Sequence, residues 1–340
     1  MPYHVAALEY PFCCKIGPYF NISGQNTTLR HVLSRQKPII PCLMTETRNT
    51  VYKKWTELVD VTIWEEFNFA NFSESYGHVL DIPVSEELAI PRPDQEFRGM
   101  TVEKDDDLRP LIVWNGKLMD TTLQVALPYI GLDSNVALRQ IYWTPDNPKP
   151  VNLSKGRPSS RWSGRRLANE LNDPKQEHLS PLRQLANACN VADTRYGYIQ
   201  TDEEMVMCRV NKNKEGCNVA MMPVPWSRKG INVLTTDLAL WWLCMLALSC
   251  PENRAIVEDA NIAEINAWEE SVKVNDARGY VRRHKYSRVE VPALLPVQTS
   301  NEVFNMGGLS PNTGWDTLMS QHPAYGSFEF PGAEYDVAHE

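Results

Sequence analysis

Two short stretches concentrate positive charge among aromatic rings. The first runs Lys155-Gly156-Arg157-Pro158-Ser159-Ser160-Arg161-Trp162-Ser163-Gly164-Arg165-Arg166, with five basic residues and no acid. The second is Arg278-Gly279-Tyr280-Val281-Arg282-Arg283-His284-Lys285-Tyr286-Ser287-Arg288. Cations contact phosphates and release counterions, while planar rings stack on bases. The residues suited to that chemistry are Lys155, Arg157, Arg161, Arg165, Arg166, Arg282, Arg283 and Lys285, an anion- or nucleic-acid-binding set. The competing reading is a pair of solvated loops whose charges pair with the acidic C-terminal tail. Both stretches facing one groove would favour binding.

Other chemistry is harder to place. The chain has no G-x-S-x-G elbow, no G-x-x-x-x-G-K-[ST] phosphate loop and no G-x-G-x-x-G fingerprint. The acid pairs Glu65-Glu66 and Glu203-Glu204 suit a turn or a helix face better than an acid/base couple. Seven histidines give neither H-x-x-x-H nor H-E-x-x-H spacing, so no metal set is read from them. None of the eight cysteines forms a C-x-x-C pair, and Cys189, Cys208 and Cys244 sit in apolar patterns where a thiol acts as a small hydrophobe. Reduced, structural cysteines are expected. Four N-x-S/T sequons begin at Asn21, Asn26, Asn71 and Asn152 and read as chance matches.

The elements that must hold the basic stretches show most clearly between residues 181 and 250. Leu182, Leu185, Ala186 and Cys189 recur at helical spacing. Arg195 to Thr201 reads as a strand, Asp202-Glu203-Glu204 as a polar turn and Met205 to Val210 as a returning strand. Pro223 to Ser227 reads as an extended link. Thr235-Thr236-Asp237 supplies N-cap chemistry for Leu238–Leu248, an eleven-residue helix apolar on every side and therefore central in a core. Eleven residues at 1.5 Å each span only about 16 Å, too short for a bilayer. Upstream, Val51 to Phe69 suits a helix or strand pair. Leu111-Ile112-Val113-Trp114 reads as a short strand with a tight turn at Asn115-Gly116, Thr121 to Ile130 as helical and Ala137 to Trp143 as a strand.

With 340 residues, 43% apolar and 22% charged, the chain has ordinary globular composition. The expected division is an irregular region 1–110 packed on the core, an α/β core 111–290 and an acidic, disordered tail 291–340. The tail carries the charge imbalance: after Arg288 there are seven acids and no Lys or Arg, so residues 1–288 hold 34 basic against 35 acidic residues. An anionic partner for the body is therefore not excluded. Met1-Pro2-Tyr3-His4 leads into no basic and apolar signal pattern, and an intracellular location, cytoplasmic or nuclear, with no membrane partner is expected.

Arg195-Tyr196-Gly197-Tyr198-Ile199-Gln200-Thr201-Asp202-Glu203-Glu204-Met205-Val206, Pro225-Trp226-Ser227 and Leu234 to Leu248 together resemble an uncharacterised filamentous-fungal family. That family has an R-Y-G-[YF]-I-x-T-D-x-E-L-V segment and an L-A-L-W-x-L-x-M-L-A helix, and the similarity covers about residues 145–250. The resemblance implies an α/β (α+β) fold in which a mixed central sheet is flanked by helices. Its core would resemble that of the PD-(D/E)XK nucleases: a helix, a hairpin bearing an acidic motif, then a crossover helix and further strands. Relatives carry G-D-x-K-P-S-x-K-W before the R-Y-G-Y strand. Here Lys155 stands at the acid position and Arg157 at the lysine position, with Pro145-Asp146 as an upstream acidic element.

An ammonium where a carboxylate should hold Mg²⁺ repels the ion by several kcal/mol at close range. The resemblance therefore implies a nuclease-like protein without catalysis, metal or cofactor, acting by binding nucleic acid or a protein partner. Two other expectations stand beside it. One is an active Mg-dependent nuclease with relocated carboxylates, such as Asp133, Asp146 and Glu177. The other is an accessory protein of a fungal specialised-metabolite cluster.

Overall fold

A computed structural model of the chain describes residues 26–43, 55–85, 92–103, 105–132, 151–152, 162–249, 251–262, 264–273 and 280–292. The first half holds β1 (Asn26–Thr28), α1 (Leu29–Leu33), β2 (Leu58–Ile63), α2 (Phe69–Leu80), β3 (Pro83–Ser85), α3 (Pro93–Glu96), α4 (Arg109–Ala126) and β4 (Val151–Asn152). The second holds α5 (Gly164–Asn169), α6 (Gln176–Ala192), β5 (Tyr196–Gln200), β6 (Glu204–Asn213), β7 (Gly216–Pro225), α7 (Thr236–Ser249), α8 (Pro251–Arg254), β8 (Trp268–Lys273), β9 (Tyr280–His284) and β10 (Glu290–Pro292). The fold is mixed α/β. Among the described residues no helix is long and apolar enough to cross a membrane.

A five-stranded mixed sheet in the order β2-β7-β6-β5-β4 organises the chain. β5, β6 and β7 form an antiparallel meander, while β4 pairs parallel to β5 and β2 parallel to β7. Both faces of the sheet are covered, and the side chains divide with the two-residue period of a strand. Tyr196, Tyr198, Met205, Met207, Ala220 and Val224 enter one apolar cluster. Ile199, Val206, Cys208, Val210, Val219 and Met221 enter the other. The second cluster is completed by α5 and α6, and the first by α1, α2, α4 and α7.

This layering gives the R-Y-G-Y segment an architectural role. Its two tyrosines face the first cluster, and between them Gly197 lies under α6. A Cβ there would stand 2.8 Å from Leu185 Cδ1 and 3.1 Å from Cys189 Sγ, so glycine lets the helix seat closely. α7 is the buried central helix expected of its all-apolar sequence, with Trp241 and Trp242 fully buried. Trp242 stacks on Phe67 (4.2 Å between centroids) and Phe72 (5.0 Å), which fastens α2 across it. Thr235 Oγ1 caps this helix by accepting from the Leu238 amide.

Three elements differ from expectation. Residues 111–114 are not a strand, and Asn115-Gly116 is not a turn; both lie inside α4. Their buried partners Leu111, Trp114, Leu118, Met119, Leu123 and Ala126 recur every three to four residues, and this longer period outweighs a four-residue apolar run. Residues 223–225 are the end of β7, not a link. Amides at odd positions of β7 face β2, as Cys217 shows by donating to the Glu57 carbonyl (2.9 Å). β2 pairs no further along than Met221, so the missing amides of Pro223 and Pro225 fall where no strand needs them. Finally, residues before 110 do more than pack on the core, since β2 is one of the sheet's own strands.

In chain order, α6 leads into the β5-β6-β7 meander and then into α7. The strands after α7 do not extend the same sheet: β8, β9 and β10 form a separate antiparallel sheet in the order β10-β9-β8. β1 and β3 form a third, two-stranded one. The strand expected at 137–143 and the tail from 293 onward lie outside the described residues.

Candidate functional site

Helix α5 brings the first basic stretch onto the sheet. Ser163 caps it by accepting from the Arg166 amide. Gly164 then touches β6 so closely that a Cβ would stand 2.5 Å from Val206 Cγ2. This contact lets the Gly164 amide donate to Glu204 Oε1 (2.5 Å), while Arg165 Nε donates to Glu204 Oε2 (2.9 Å). Glu204 is fully buried at the first position of β6. A buried carboxylate needs such donors for both oxygens. Thr201 Oγ1 accepts from the amides of Glu203 and Glu204, which fixes the turn between β5 and β6. The acidic motif is thus a clamp that fastens α5 to the sheet.

Arg165 also reaches outward. Its Nη2 lies 3.6 Å from the exposed Glu203 carboxylate. Glu203 in turn accepts the Trp226 amide on its carbonyl (2.7 Å), and Arg228 folds back by donating its amide to Pro225. Partial desolvation, and secondarily the Arg165 cation, lower the pKa of the exposed Arg228. Among the described residues neither Arg228 nor the exposed Lys229 has a carboxylate partner. Arg166 pairs instead with Glu170 (3.2 Å), which also bonds His178 Nδ1 (2.7 Å). The Arg166 hydrogen bond is the main reason that Glu170 is held below the usual carboxylate pKa. Lys155, Arg157 and Arg161 lie outside the described residues, and Arg161 directly precedes Trp162.

The second basic stretch is placed elsewhere. Arg282 pairs with Glu74 (3.0 Å) and covers the Trp268 ring at 4.4 Å. Arg283 bonds Glu290 on the neighbouring strand, which raises its pKa. Lys285 lies 5.6 Å from the Tyr286 ring centroid. Tyr286 belongs to the first cluster, whereas Trp162 and Leu167 beside Arg165 belong to the second. Among the described residues, the end of the first stretch at 162–166 and the second stretch are therefore attached to opposite faces of the sheet, and Arg282 and Arg283 of the second have acids of their own.

A further buried polar group joins residues two hundred positions apart. Lys37 Nζ bonds Asp237 and donates to Thr236 Oγ1 (2.5 Å). It lies 4.0 Å from the Trp226 ring centroid and 5.0 Å from that of Trp114. Burial drives the Lys37 pKa down and the Asp237 pKa up, and each partner opposes the shift of the other. Trp226 Nε1 donates to the Pro38 carbonyl (2.9 Å) and Thr235 Oγ1 to that of Leu33 (2.7 Å), so residues 33–38 are fastened to the start of α7. Only the tertiary fold joins positions 37 and 237, and sequence spacing carries no hint of it.

Among the described residues no nucleophile emerges with an accessible base. Ser287 Oγ lies 3.0 Å from His284 Nδ1, but both side chains are fully buried. Burial pushes the His284 pKa down to about 4, against the Ile265 carbonyl and Glu74, which favour the charged ring. The described cysteines Cys42, Cys189, Cys208, Cys217 and Cys244 are free thiols, and burial pushes Cys244 up to about 12. Asp133 and Asp146 lie outside the described residues, and Glu177 is exposed, 3.8 Å from His178 Nε2. Among the described residues no three His, Cys, Asp or Glu side chains form a group that could hold a metal ion. Comparison with family models, curated proteins and solved structures gives no match.

Proposed function

We propose that the protein binds nucleic acid, without catalysing a reaction, on the basic surface where β7 leaves the sheet beside α5. The observation that carries this reading is the exposed basic pair Arg228-Lys229, served by no described carboxylate, in the turn that the Trp226 amide fastens to Glu203, whose carboxylate lies 3.6 Å from Arg165. A polyanion neutralises such unpaired cations and releases its counterions on binding. The sequence immediately before α5 carries three further cations, Lys155, Arg157 and Arg161, which lie outside the described residues.

The core supports a binding role. The order α6-β5-β6-β7-α7 fits a nuclease-like fold, yet β6 carries one acid, Glu204, and β7 carries none. Both Glu204 oxygens are committed to the Gly164 amide and Arg165, which leaves that carboxylate engaged in holding the helix.

Fluorescence anisotropy with labelled single-stranded and duplex 20-mers tests the reading. If four phosphates are contacted on duplex DNA, affinity falls about 150-fold between 50 and 200 mM salt. Arg228→Glu combined with Lys229→Glu removes about two contacts and flattens that slope by about half. Absence of binding at 50 mM salt, or a slope unchanged by the double reversal, would refute it.

A further inference from the structure

We infer that the small sheet β8-β9-β10 is a separately opening unit latched to α2 by neutral His284, and that acid releases the latch. The three strands pair with one another and, among the described residues, with no strand of the five-stranded sheet. Side-chain contacts fasten them to α2. Arg282 bonds Glu74 (3.0 Å), and Asn266 Nδ2 donates to Asn71 Oδ1 (3.3 Å). Ile265 and Tyr286 enter the first apolar cluster. Between them in the chain, the fully buried His284 ring stands edge-on to Tyr76 of α2, 6.1 Å between centroids.

The same ring holds the turn that joins β9 to β10. Its Nδ1 accepts the Ser287 amide at 3.0 Å, and its faces and edges meet the Trp268 and Tyr286 rings at 5.0 and 5.8 Å. Arg288 in this turn has φ +61°, a conformation that such bonds must maintain. An Nδ1 that accepts an amide carries no proton, so the neutral ring has its hydrogen on Nε2. A second proton therefore enters at Nδ1. The Ser287 hydroxyl, also 3.0 Å away, can rotate to accept it. The Ser287 amide cannot, and two N–H groups would face each other away from water.

The charged and titratable groups on the packed elements are Glu74, Tyr76 and His78 of α2, Glu269 of β8, Glu290 of β10, and Arg282, Arg283, Lys285, Tyr286 and Arg288 on the strand and turn of His284 itself. Glu74 favours the charged ring and His78 opposes it, and burial outweighs both. The closed ring titrates at about 4, against about 6.5 once exposed. The unit is thus fully latched above pH 6.5 and loosens as pH falls toward 4. By this linkage its opening constant rises about ten-fold from pH 7.5 to 5.5, and about seventy-fold from pH 7.5 to 4.5.

Hydrogen exchange of the full chain, read by mass spectrometry and corrected for the intrinsic rate at each pH, tests the latch. Peptides from 280–292 should show the ten-fold rise between pH 7.5 and 5.5, while peptides from β5–β7 should rise less than about two-fold. That comparison within the native chain needs no variant. His284→Asn keeps an acceptor for the Ser287 amide without a titrating ring and should abolish the rise. His78→Asn alters the exposed histidine of α2 and should preserve it. An equal rise in both sets of peptides would overturn the latch. So would no rise at all, a rise that survives in His284→Asn, or one that is lost in His78→Asn.

Discussion

Breaking the Lys37–Asp237 pair should reveal how the chain before β2 is held. Their side chains are 2% and 1% exposed, so removing either partner strands a charge away from water. That costs about 3–5 kcal/mol in comparable buried pairs. Lys37→Met also forfeits the two tryptophan contacts, which adds as much as about 2 kcal/mol. Asp237→Leu leaves an ammonium between two rings with Thr236 as its described acceptor. Asp237→Leu should therefore lose about 3–5 kcal/mol and Lys37→Met as much as about 7 kcal/mol. With a urea dependence of about 3 kcal/mol per M, the midpoint shifts down by about 1–1.7 M and as much as about 2.3 M respectively. Combining Lys37→Met with Asp237→Leu removes both charges, and although leucine is larger than aspartate, stability should return to within about 3 kcal/mol of the native chain. Urea unfolding followed by tryptophan fluorescence measures all four proteins in one cycle. Single variants costing less than about 1 kcal/mol, or a double variant as unstable as the two losses summed, would refute the reasoning.

Two further outcomes follow from geometry already described. His284 has a folded pKa of about 4 against about 6.5 when unfolded, so the unfolded chain binds more protons between those values. Its contribution is complete above pH 6.5 and is lost as pH falls toward 4; urea unfolding at pH 7.5 and 4.5 should show about 2–3 kcal/mol less acid sensitivity in His284→Asn than in the native chain. Gly164→Ala forces a methyl group against Val206 at the foot of α5 and should cost about 1–3 kcal/mol by thermal or urea unfolding, whereas Asn169→Ala at the far end of that helix should cost less than about 1 kcal/mol.

The sequence was readable where a local pattern and the tertiary environment favoured the same structure. α6, the β5–β6 hairpin and α7 combine period, turn residues and capping within 74 residues, and all three are present. At 111–114 a local pattern misled, because a short apolar run suits a strand and a buried helix equally. Pro223 and Pro225 suggested a link because the reach of the neighbouring strand is not a property of the sequence nearby. For the site, charge density pointed to Arg165, but it could not show that Arg166, Arg282 and Arg283 have acids of their own. Arg228 drew no notice because it stands in a short basic pair, and only the fold brings its turn to Glu203, the acid nearest the outer side of Arg165. Lys37 and Asp237 lie beyond any local reading for the same reason.

The pairing of β2 with β7 has a consequence for how this chain is made. Leu58 aligns with Cys217, 159 positions later, so one edge of the sheet waits for a distant segment before it can close. At about 5–20 residues per second a ribosome needs roughly 8–30 s to add that length. Throughout that interval Val61 and Ile63, which later pack into the interior, have no β7 to rest against. Such long-range closure slows folding. The nascent polypeptide is therefore most open to aggregation, and most dependent on cellular helpers, before the second half of the hairpin has been synthesised.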